Sequence, residues 1–272
     1  MKAWAMVENT LRESLEKKVL VVYFVISTLA ILFLLFGINF VEGAGKVKIT
    51  VLGEQGELTG AFEKLVVKVE AVLVRLFLPF VMLFSLSATC GLFPSMLSEG
   101  SVELILSKPL RRSTIVLSRF AGCVIMVFLN VAYLVLGFWL VLSLKTGVYN
   151  FGFLWSGLMM VFIFFVLMTV MALAGVVSRS ASISLMSVFS VYILSSVLAH
   201  HRKFLPLISE DFWRWLVKGA YYVLPKIDQL SSQTRSLVEG GVVDNWMPIW
   251  SSAAFGAAVL GTAIAIFERK DF

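Results

Sequence analysis

The sequence predicts an all-α polytopic membrane protein built around six transmembrane helices. Three observations lead to this fold class. Six long apolar stretches alternate with polar segments, hydrophobic residues make up 59% of the 272 residues and charged residues only 15%, and the mean hydropathy is +0.93. A water-soluble domain does not have this composition. We treat residues 1–272 as a single transmembrane domain, with spans at 18–41, 71–96, 114–144, 152–178, 182–200 and 246–267.

Each span is expected to be a helix, because a backbone amide left unpaired in the hydrocarbon core costs several kcal/mol and a helix of about 20 residues pairs its own amides. The first stretch is too long for a signal-peptide core and no small-residue cleavage site follows it, so we expect a retained helix. Lys and Arg are denser in the short segments on the side of the termini, which favours cytoplasmic termini. The chain is therefore predicted to be a multi-pass protein of the cell membrane.

Two amphipathic stretches precede the first two spans. Residues 2–17 place Trp4, Val7, Leu11 and Leu15 at helical spacing, which predicts an interfacial helix along the bilayer. The stretch from Glu57 to Arg75 has a similar pattern, with charged side chains directed away from its apolar face: Glu63, Lys64, Lys68 and Glu70. It is expected to lie on the opposite membrane surface and to run into span 2, or to form a short helix in a soluble loop.

The segment between spans 5 and 6 is rich in aromatic residues. Its apolar runs are too short to cross the bilayer, so we expect two short helices broken near Gly219 or Pro225, followed by a surface loop over residues 228–245. Rings this dense avoid water by capping the bundle or entering the outer leaflet. We interpret the segment as an outer gate formed by Phe212, Trp213, Trp215, Tyr221 and Tyr222.

The loop between spans 2 and 3 predicts a short exposed helix. Ser98 can cap it, Glu99 lies at its positive end, and Pro109 ends it. An apolar ridge runs along it, formed by Val102, Ile105 and Leu106. Such a helix is suited to docking into a groove of a partner protein, although a basic loop beside a span also follows from the charge rule alone.

This loop resembles the signature of ABC-2 type transporter permeases, in which an acidic residue and Gly-Ser precede a Leu-Leu-Ser-Lys-Pro type of run and an Arg. The amphipathic N-terminal helix, the six spans, the short helices between spans 5 and 6 and the tail 267–272 are also similar to that family. The similarity is greatest to its branch related to the permeases of nitrous-oxide-reductase maturation. Ile105 stands where Leu is common, and Ser118-Arg119 where Gly-Lys is common.

The resemblance implies that the loop is a coupling helix seated in a cytosolic ABC ATPase subunit. Its coupling residues would be Glu99, Gly100, Ser101, Val102, Ile105, Leu106, Lys108, Pro109 and Arg112. The family assembly is two permease copies with two ATPase copies, so ATP and Mg²⁺ are expected on the partner chain. The sequence has no GxxxxGK[ST] motif, and we expect no catalytic residue and no cofactor on this chain.

The resemblance also places the transport pathway at the interface of the permease dimer, flanked by spans 2 and 5. The candidate lining residues are Ser85, Thr89, Ser187 and Ser190, for which helix packing is the alternative role. No span carries a central charge, which favours export of an amphiphilic or hydrophobic substrate. The branch resemblance points instead to a sulfur or copper species.

Two other functional classes stay open. A mechanical transducer would relay ATP-driven motion to an external partner, and would need a large outer domain. An intramembrane enzyme would need a catalytic constellation inside the membrane, and none appears at helical spacing. Cys90 and Cys123 lie in spans and His200 and His201 are adjacent at a span end, so no metal site is expected. Nothing in the sequence indicates a nucleic-acid partner.

Overall fold

The structure is a computed structural model that describes residues 2–16, 18–43, 46–51, 54–58, 62–96, 111–200 and 211–270. Within these ranges the chain is mainly helical. The helices are α1 (Lys2–Glu16), α2 (Val19–Gly37), α3 (Phe62–Thr89), α4 (Leu92–Met96), α5 (Arg112–Thr146), α6 (Phe151–Ser178), α7 (Ala181–Ala199), α8 (Asp211–Val223), α9 (Ile227–Val238) and α10 (Met247–Arg269). The strands are β1 (Ile38–Gly43), β2 (Lys46–Val51) and β3 (Glu54–Leu58).

Six candidate spans are present in the described ranges, formed by α2, by α3 with α4, and by α5, α6, α7 and α10. Each corresponds to one predicted apolar stretch, so the predicted helical membrane bundle is confirmed. At span 2 the helix begins at Phe62 and runs without interruption to Thr89, so the second amphipathic stretch runs into the span as predicted. It does so as part of the same helix and not as a soluble loop helix.

A small antiparallel sheet lies between spans 1 and 2 and was not predicted. Its strands follow one another in the order β1-β2-β3, with Gly43 opposite Lys46 at the first turn and Val51 opposite Glu54 at the second. The amphipathic helix predicted from Glu57 is therefore wrong at its start, because residues Glu54–Leu58 form a strand. The all-α description holds for the membrane bundle and not for this loop.

The core of the bundle is α6. In its most apolar stretch 67% of the residues are buried, compared with 17% in α2 and in α10. It packs against α5, α7, α9 and α10 and buries large side chains such as Phe153, Phe164 and Met168. Gly157 and Gly175 let neighbouring side chains approach closely, since an added Cβ would meet Val135 at 3.2 Å and Phe93 at 2.9 Å. Spans 2, 3, 5 and 6 pack around this helix, whereas span 1 packs mainly on α5.

The N-terminal helix α1 lies across the start of α5 and presents a polar, small-residue face to it. Val7, Thr10 and Ser14 are buried, and an added Cβ at Gly122 of α5 would lie 2.8 Å from the Cβ atom of Thr10. The predicted apolar face is divided, because Val7 is buried and Leu11 packs against the core, whereas Trp4 and Leu15 are exposed. Trp4 and Leu15 are left free to contact the bilayer surface.

We call the end of the bundle that carries α1 and the end of α10 the termini side, and the other end the opposite side. On the opposite side α8 and α9 are separated at Leu224–Lys226, which contains Pro225. The surface loop predicted over residues 228–245 is wrong for its first half. Helix α9 packs against α6 and buries Ile227, Leu230, Thr234 and Val238.

Candidate functional site

The predicted coupling residues 99–109 lie outside the described residues, but both of their flanks are described. Helix α4 ends at Met96 on one side, and α5 begins at Arg112 on the other. The structure therefore shows what the coupling segment is attached to on the termini side of the bundle.

A buried polar cluster lies directly at this attachment. The Arg119 guanidinium of α5 contacts the Glu13 carboxylate of α1, with Nη2 2.5 Å from Oε2. Arg119 also donates to Ser95 Oγ at 2.8 Å and, through Nε, to the Leu92 carbonyl at 2.8 Å. Ser95 donates to Glu13 Oε1 at 2.9 Å. These four residues are the coupling-side cluster.

The coupling-side cluster joins three pieces of chain: the N-terminal helix, the end of span 2 and the start of span 3. The Arg119 side chain is 8% exposed and that of Glu13 is 21% exposed, so the ion pair is well shielded from solvent. Removing one partner of a buried pair leaves an uncompensated charge and costs about 3–5 kcal/mol. The flanks of segment 97–111 are thus joined to α1 by charge-assisted hydrogen bonds as well as by packing.

Arg112, which the resemblance assigns to coupling, is placed at the end of span 6. Its Nη1 donates to the carbonyl of Glu268 at 3.1 Å and to that of Lys270 at 2.6 Å. Lys270 in turn donates from Nζ to the Val176 carbonyl at the end of α6, at 2.7 Å. Burial, and then the nearby Arg179, lowers the pKa of the Lys270 ammonium from its ordinary value. The start of α5 therefore fixes the ends of two other spans.

The four candidate lining residues do not share one surface in a single chain. Ser85 and Thr89 are buried inside the bundle, where the Ser85 hydroxyl contacts the Tyr23 hydroxyl and Thr89 donates to the Ser85 carbonyl at 2.8 Å. Ser187 and Ser190 lie on α7 and donate to the carbonyls one turn earlier, and Ser190 is exposed. Their role in a pathway remains a prediction.

Polar side chains of span 3 bind span 1 directly. Ser27 donates to Asn130 Oδ1 at 3.0 Å, and the hydroxyls of Thr28 and Tyr133 are 3.0 Å apart. Asn130 and Tyr133 thus act as interhelical hydrogen-bond partners of span 1. In lipid such pairs hold helices together where apolar burial cannot.

The aromatic residues of α8 face away from the bundle. Phe212, Trp215 and Tyr222 are 62%, 73% and 67% exposed, whereas Tyr221 is half-buried and accepts a hydrogen bond from Gln229 of α9 at 2.8 Å. The side chain of Trp213 lies outside what the structure describes. Rings exposed in this way fit the outer leaflet better than a cap over the bundle. The gate role of the five residues remains a prediction.

The corner between α8 and α9 is fixed to spans 5 and 6. Ser195 Oγ donates to the Pro225 carbonyl at 2.5 Å and accepts from the Ile227 amide at 3.1 Å. The Lys226 amide donates to Ser252 Oγ of α10 at 3.0 Å. Movement of spans 5 and 6 must therefore carry this corner with it.

A buried carboxyl on the opposite side escaped the sequence analysis. Glu70 was expected to face away from the apolar surface, yet it is fully buried and accepts from Asn150 Nδ2 at 2.6 Å. The side chain of Asn150 also donates to the Val238 carbonyl at 2.8 Å, and the backbone carbonyl of Asn150 accepts from Trp139 Nε1 at 3.0 Å. Its side chain caps α6 by accepting from Gly152 at 3.0 Å. Through its side chain and its backbone carbonyl, Asn150 thus connects spans 2, 3 and 4 with α9.

These arrangements agree with the comparison with known families. The family model described as ABC-2 family transporter protein matches residues 4–208, from α1 to beyond α7. No curated protein gives a significant match. The matched region contains five of the six candidate spans found in the described ranges, together with the coupling-side cluster and the segment that follows it. The chain therefore belongs to the ABC-2 family of transporter proteins.

Proposed function

We propose that this chain, as the permease subunit of an ABC transporter, forms an export pathway as a dimer and is driven by two copies of a separate cytosolic ATPase. The coupling-side cluster is the observation that carries this proposal. A loop whose two flanks are tied to α1 through Glu13, Ser95 and Arg119 is suited to passing an external displacement into the bundle. ATP and Mg²⁺ would be bound by the partner chain.

A second copy is proposed because the described residues of one chain form no continuous polar route. Ser85 and Thr89 are enclosed by packing, while several spans leave apolar faces unpartnered. On α7 the exposed positions form one continuous stripe at helical spacing: Ile183, Met186, Ser190, Ile193 and Val197. A partner copy facing this stripe would enclose a shared space for substrate, with Ser187 and Ser190 toward it. This supports a pathway between copies, flanked by spans 2 and 5.

We further infer that both termini and the coupling segment are cytoplasmic, in the plasma or cytoplasmic membrane. The sheet β1–β3, α8 and α9 would then face outward. The corner fixed by Ser195 and Ser252 would let α8 respond to spans 5 and 6, as an outer gate requires. The narrower resemblance to nitrous-oxide-reductase maturation permeases, and its sulfur or copper substrate, remains a prediction.

The mechanical transducer remains the second candidate, and the sheet is the observation that favours it. An external partner could pair with a sheet edge, although strands of five or six residues offer a small contact surface. An intramembrane enzyme has less support, because the described polar residues of the spans are engaged in helix-to-helix or helix-internal hydrogen bonds rather than in a catalytic arrangement.

The proposal is tested by replacing Leu106 on the predicted apolar ridge with Asp. A charge placed at a buried contact costs several kcal/mol, so Leu106→Asp is expected to abolish co-purification of an ATPase with the tagged full-length chain. Ser107→Asp adds the same charge beside the ridge and serves as the matched control. Co-purifying proteins are identified by mass spectrometry and assayed for ATP hydrolysis. Retention of the ATPase by Leu106→Asp at the level of the control would exclude this coupling contact.

A further inference from the structure

A polar cavity of about 150 Å³ lies between spans 2 and 5 on the opposite side of the bundle, closed on its third side by α9. Its polar lining consists of Arg75 from α3, Tyr192 and Ser196 from α7, and Asp228, Ser231 and Arg235 from α9. The cavity is distinct from the coupling-side cluster and from the four candidate lining residues. It lies where the two predicted pathway spans meet the outer helices.

The charges of this cavity are not neutralised by one another. Among the residues that the structure describes, no ion pair joins Asp228 to Arg75 or Arg235, and Arg75 has no hydrogen-bond partner. Arg235 donates from Nε to the Ser231 carbonyl at 3.3 Å, which uses one of its five N–H donors. Two guanidinium groups against one carboxylate give the cavity a net positive charge. The positively charged cavity is therefore suited to binding an anion.

Arg75 lies near the opposite-side end of the apolar part of span 2. It is 14 residues before the end of α3 at Thr89, which is about 21 Å of helix, and four residues after the start of the predicted stretch 71–96. The residue is exposed and borders the cavity, so its guanidinium is accessible to a ligand. Ionisable residues within a candidate span are retained mainly where they serve a ligand, an ion or a partner. An arginine at this position, without a partner among the described residues, is available to a ligand that supplies the counter-charge.

The size of the cavity limits what it can hold. A volume of about 150 Å³ corresponds to roughly five water molecules, which is below the 300–1,000 Å³ of sites that enclose a whole small molecule. It fits a phosphate or carboxylate group with a short polar substituent. Any larger part of the ligand has to remain outside.

The surroundings of the cavity suit a hydrocarbon chain. The residues that follow its lining residues on the two spans are apolar and exposed, namely Leu76 and Phe80 on α3 and Ile193 and Val197 on α7. A ligand whose charged end occupies the cavity would find an apolar surface directly beside it. This arrangement of a polar pocket beside an apolar face is that of an amphiphile site.

We propose that this cavity binds the anionic headgroup, a phosphate or a carboxylate, of an amphiphile whose hydrocarbon chain lies against spans 2 and 5. The two guanidinium groups provide paired N–H donors for the anion, and Asp228 accepts from a hydroxyl or ammonium substituent of the same headgroup. The inference rests on the proposed permease function and names the chemical class of its substrate. Arg75 and Arg235 are then specificity-determining residues.

The test measures ligand-dependent thermal stability of the full-length chain in a neutral detergent. The probes are dioctanoyl phosphatidylglycerol, neutral dioctanoylglycerol and inorganic phosphate. Phosphatidylglycerol is expected to raise the Tm of the parent, and dioctanoylglycerol is not. Loss of each charge-assisted contact weakens binding about tenfold, so Arg75→Gln with Arg235→Gln should raise the apparent Kd about a hundredfold. Lys218→Gln, which removes an exposed cation of α8 outside the cavity, should leave the Kd unchanged.

A variant that strengthens binding covers the case in which the double variant fails to fold. Asp228→Asn removes the only negative charge of the described lining but keeps an oxygen that can accept from the glycerol hydroxyl, so it should tighten phosphatidylglycerol binding severalfold. Equal affinity in the parent, Arg235→Gln and Asp228→Asn would overturn the proposal. An equal Tm shift with inorganic phosphate would keep the anion site and overturn the amphiphile. The assay needs no ATPase, so its failure is separate from loss of ATPase co-purification, which tests the permease function.

Discussion

The Arg119 guanidinium contacts three parts of the chain that are distant in sequence: Glu13, Ser95 and the Leu92 carbonyl. The sequence offered one signal for it, a charged residue inside the predicted span 114–144, and we read it only as a departure from the common Gly-Lys. Its partners could not be predicted, because Glu13 lies on a different helix. Glu70 shows the same limit, since its partner Asn150 is 80 positions away. Residue pairs of this kind depend on how helices pack and not on local pattern.

At this scale we predict that Arg119→Met lowers thermal stability, because it leaves the Glu13 carboxylate shielded and without its cation. A loss of about 3 kcal/mol corresponds to a decrease in Tm of roughly 6 °C or more for a chain of this size. The measurement is thermal unfolding of the full-length chain in detergent. Arg12→Met is the matched control. Arg12 pairs with Glu8 at 3.5 Å on the exposed face of α1, the helix that also carries Glu13. Exposed pairs contribute little, so its Tm should stay within about 1 °C of the parent.

A double-mutant cycle separates the ion pair from simple loss of packing. If the pair is responsible, adding Glu13→Gln to Arg119→Met should recover part of the lost Tm, since no unpaired charge then remains. Strictly additive losses in the double variant would show that Arg119 stabilises the termini side through its aliphatic part alone.

How well each helix or strand could be predicted depends on what produces its sequence pattern. The spans follow from the need to pair every amide in lipid, so runs of apolar residues were sufficient to predict α2, α5, α6, α7 and α10. The sheet was missed although residues 46–51 alternate between polar and apolar, a period-two signal. Helix α9 was missed because its buried side is a narrow row that includes Thr234 among polar neighbours. The long apolar elements were thus predictable, whereas of the short ones only α1 and α8, which carry amphipathic or aromatic patterns, were predicted.

For α8 we predict that its exposed aromatic face lies in the outer leaflet. Trp215 should then be quenched by phospholipids brominated near the top of their acyl chains, once the full-length chain is reconstituted in bilayers. The part of the fluorescence that is missing in Trp215→Phe comes from Trp215. In the parent this part is expected to be strongly quenched by the brominated lipids. Trp139→Phe provides the comparison, because this indole is half-buried and its N–H is bonded to the Asn150 carbonyl. Quenching of Trp215 no stronger than that of Trp139 would contradict leaflet insertion.

At the scale of the whole molecule, the two sides of the bundle are held by different means. The termini side is tied by charged contacts, from Glu13 to Arg119 and from Arg112 to the end of α10. The opposite side relies more on amide and hydroxyl groups, from Asn150 to Glu70 and from Ser195 to Ile227, beside one ammonium, Lys145, that donates to the Ile38 carbonyl at 2.5 Å. The even number of predicted spans required both ends to lie together. Which side of the membrane they face is inferred from charge density.

We therefore predict opposite accessibility for two introduced cysteines, Ser107→Cys in the coupling segment and Ser232→Cys on the exposed face of α9. Both are placed in a Cys90→Ala background, because Cys90 is half-buried whereas Cys123 is fully buried. An impermeant maleimide should label Ser232→Cys in intact cells, and Ser107→Cys only after permeabilisation. Labelling of both in intact cells, or of neither, would contradict the proposed topology.

The central place of α6 also has a consequence for how this protein is made. The ribosome delivers spans 1, 2 and 3 to the membrane before Phe151–Ser178 has been synthesised, so spans 2 and 3 first meet lipid where they will later meet α6. Helices that insert separately and associate afterwards can tolerate this delay. We expect the early spans to remain loosely associated during translation and to become compact only when the fourth has entered. Premature termination before residue 151 would then leave the early spans without the helix on which the bundle packs. We expect membrane quality-control proteases to degrade such fragments.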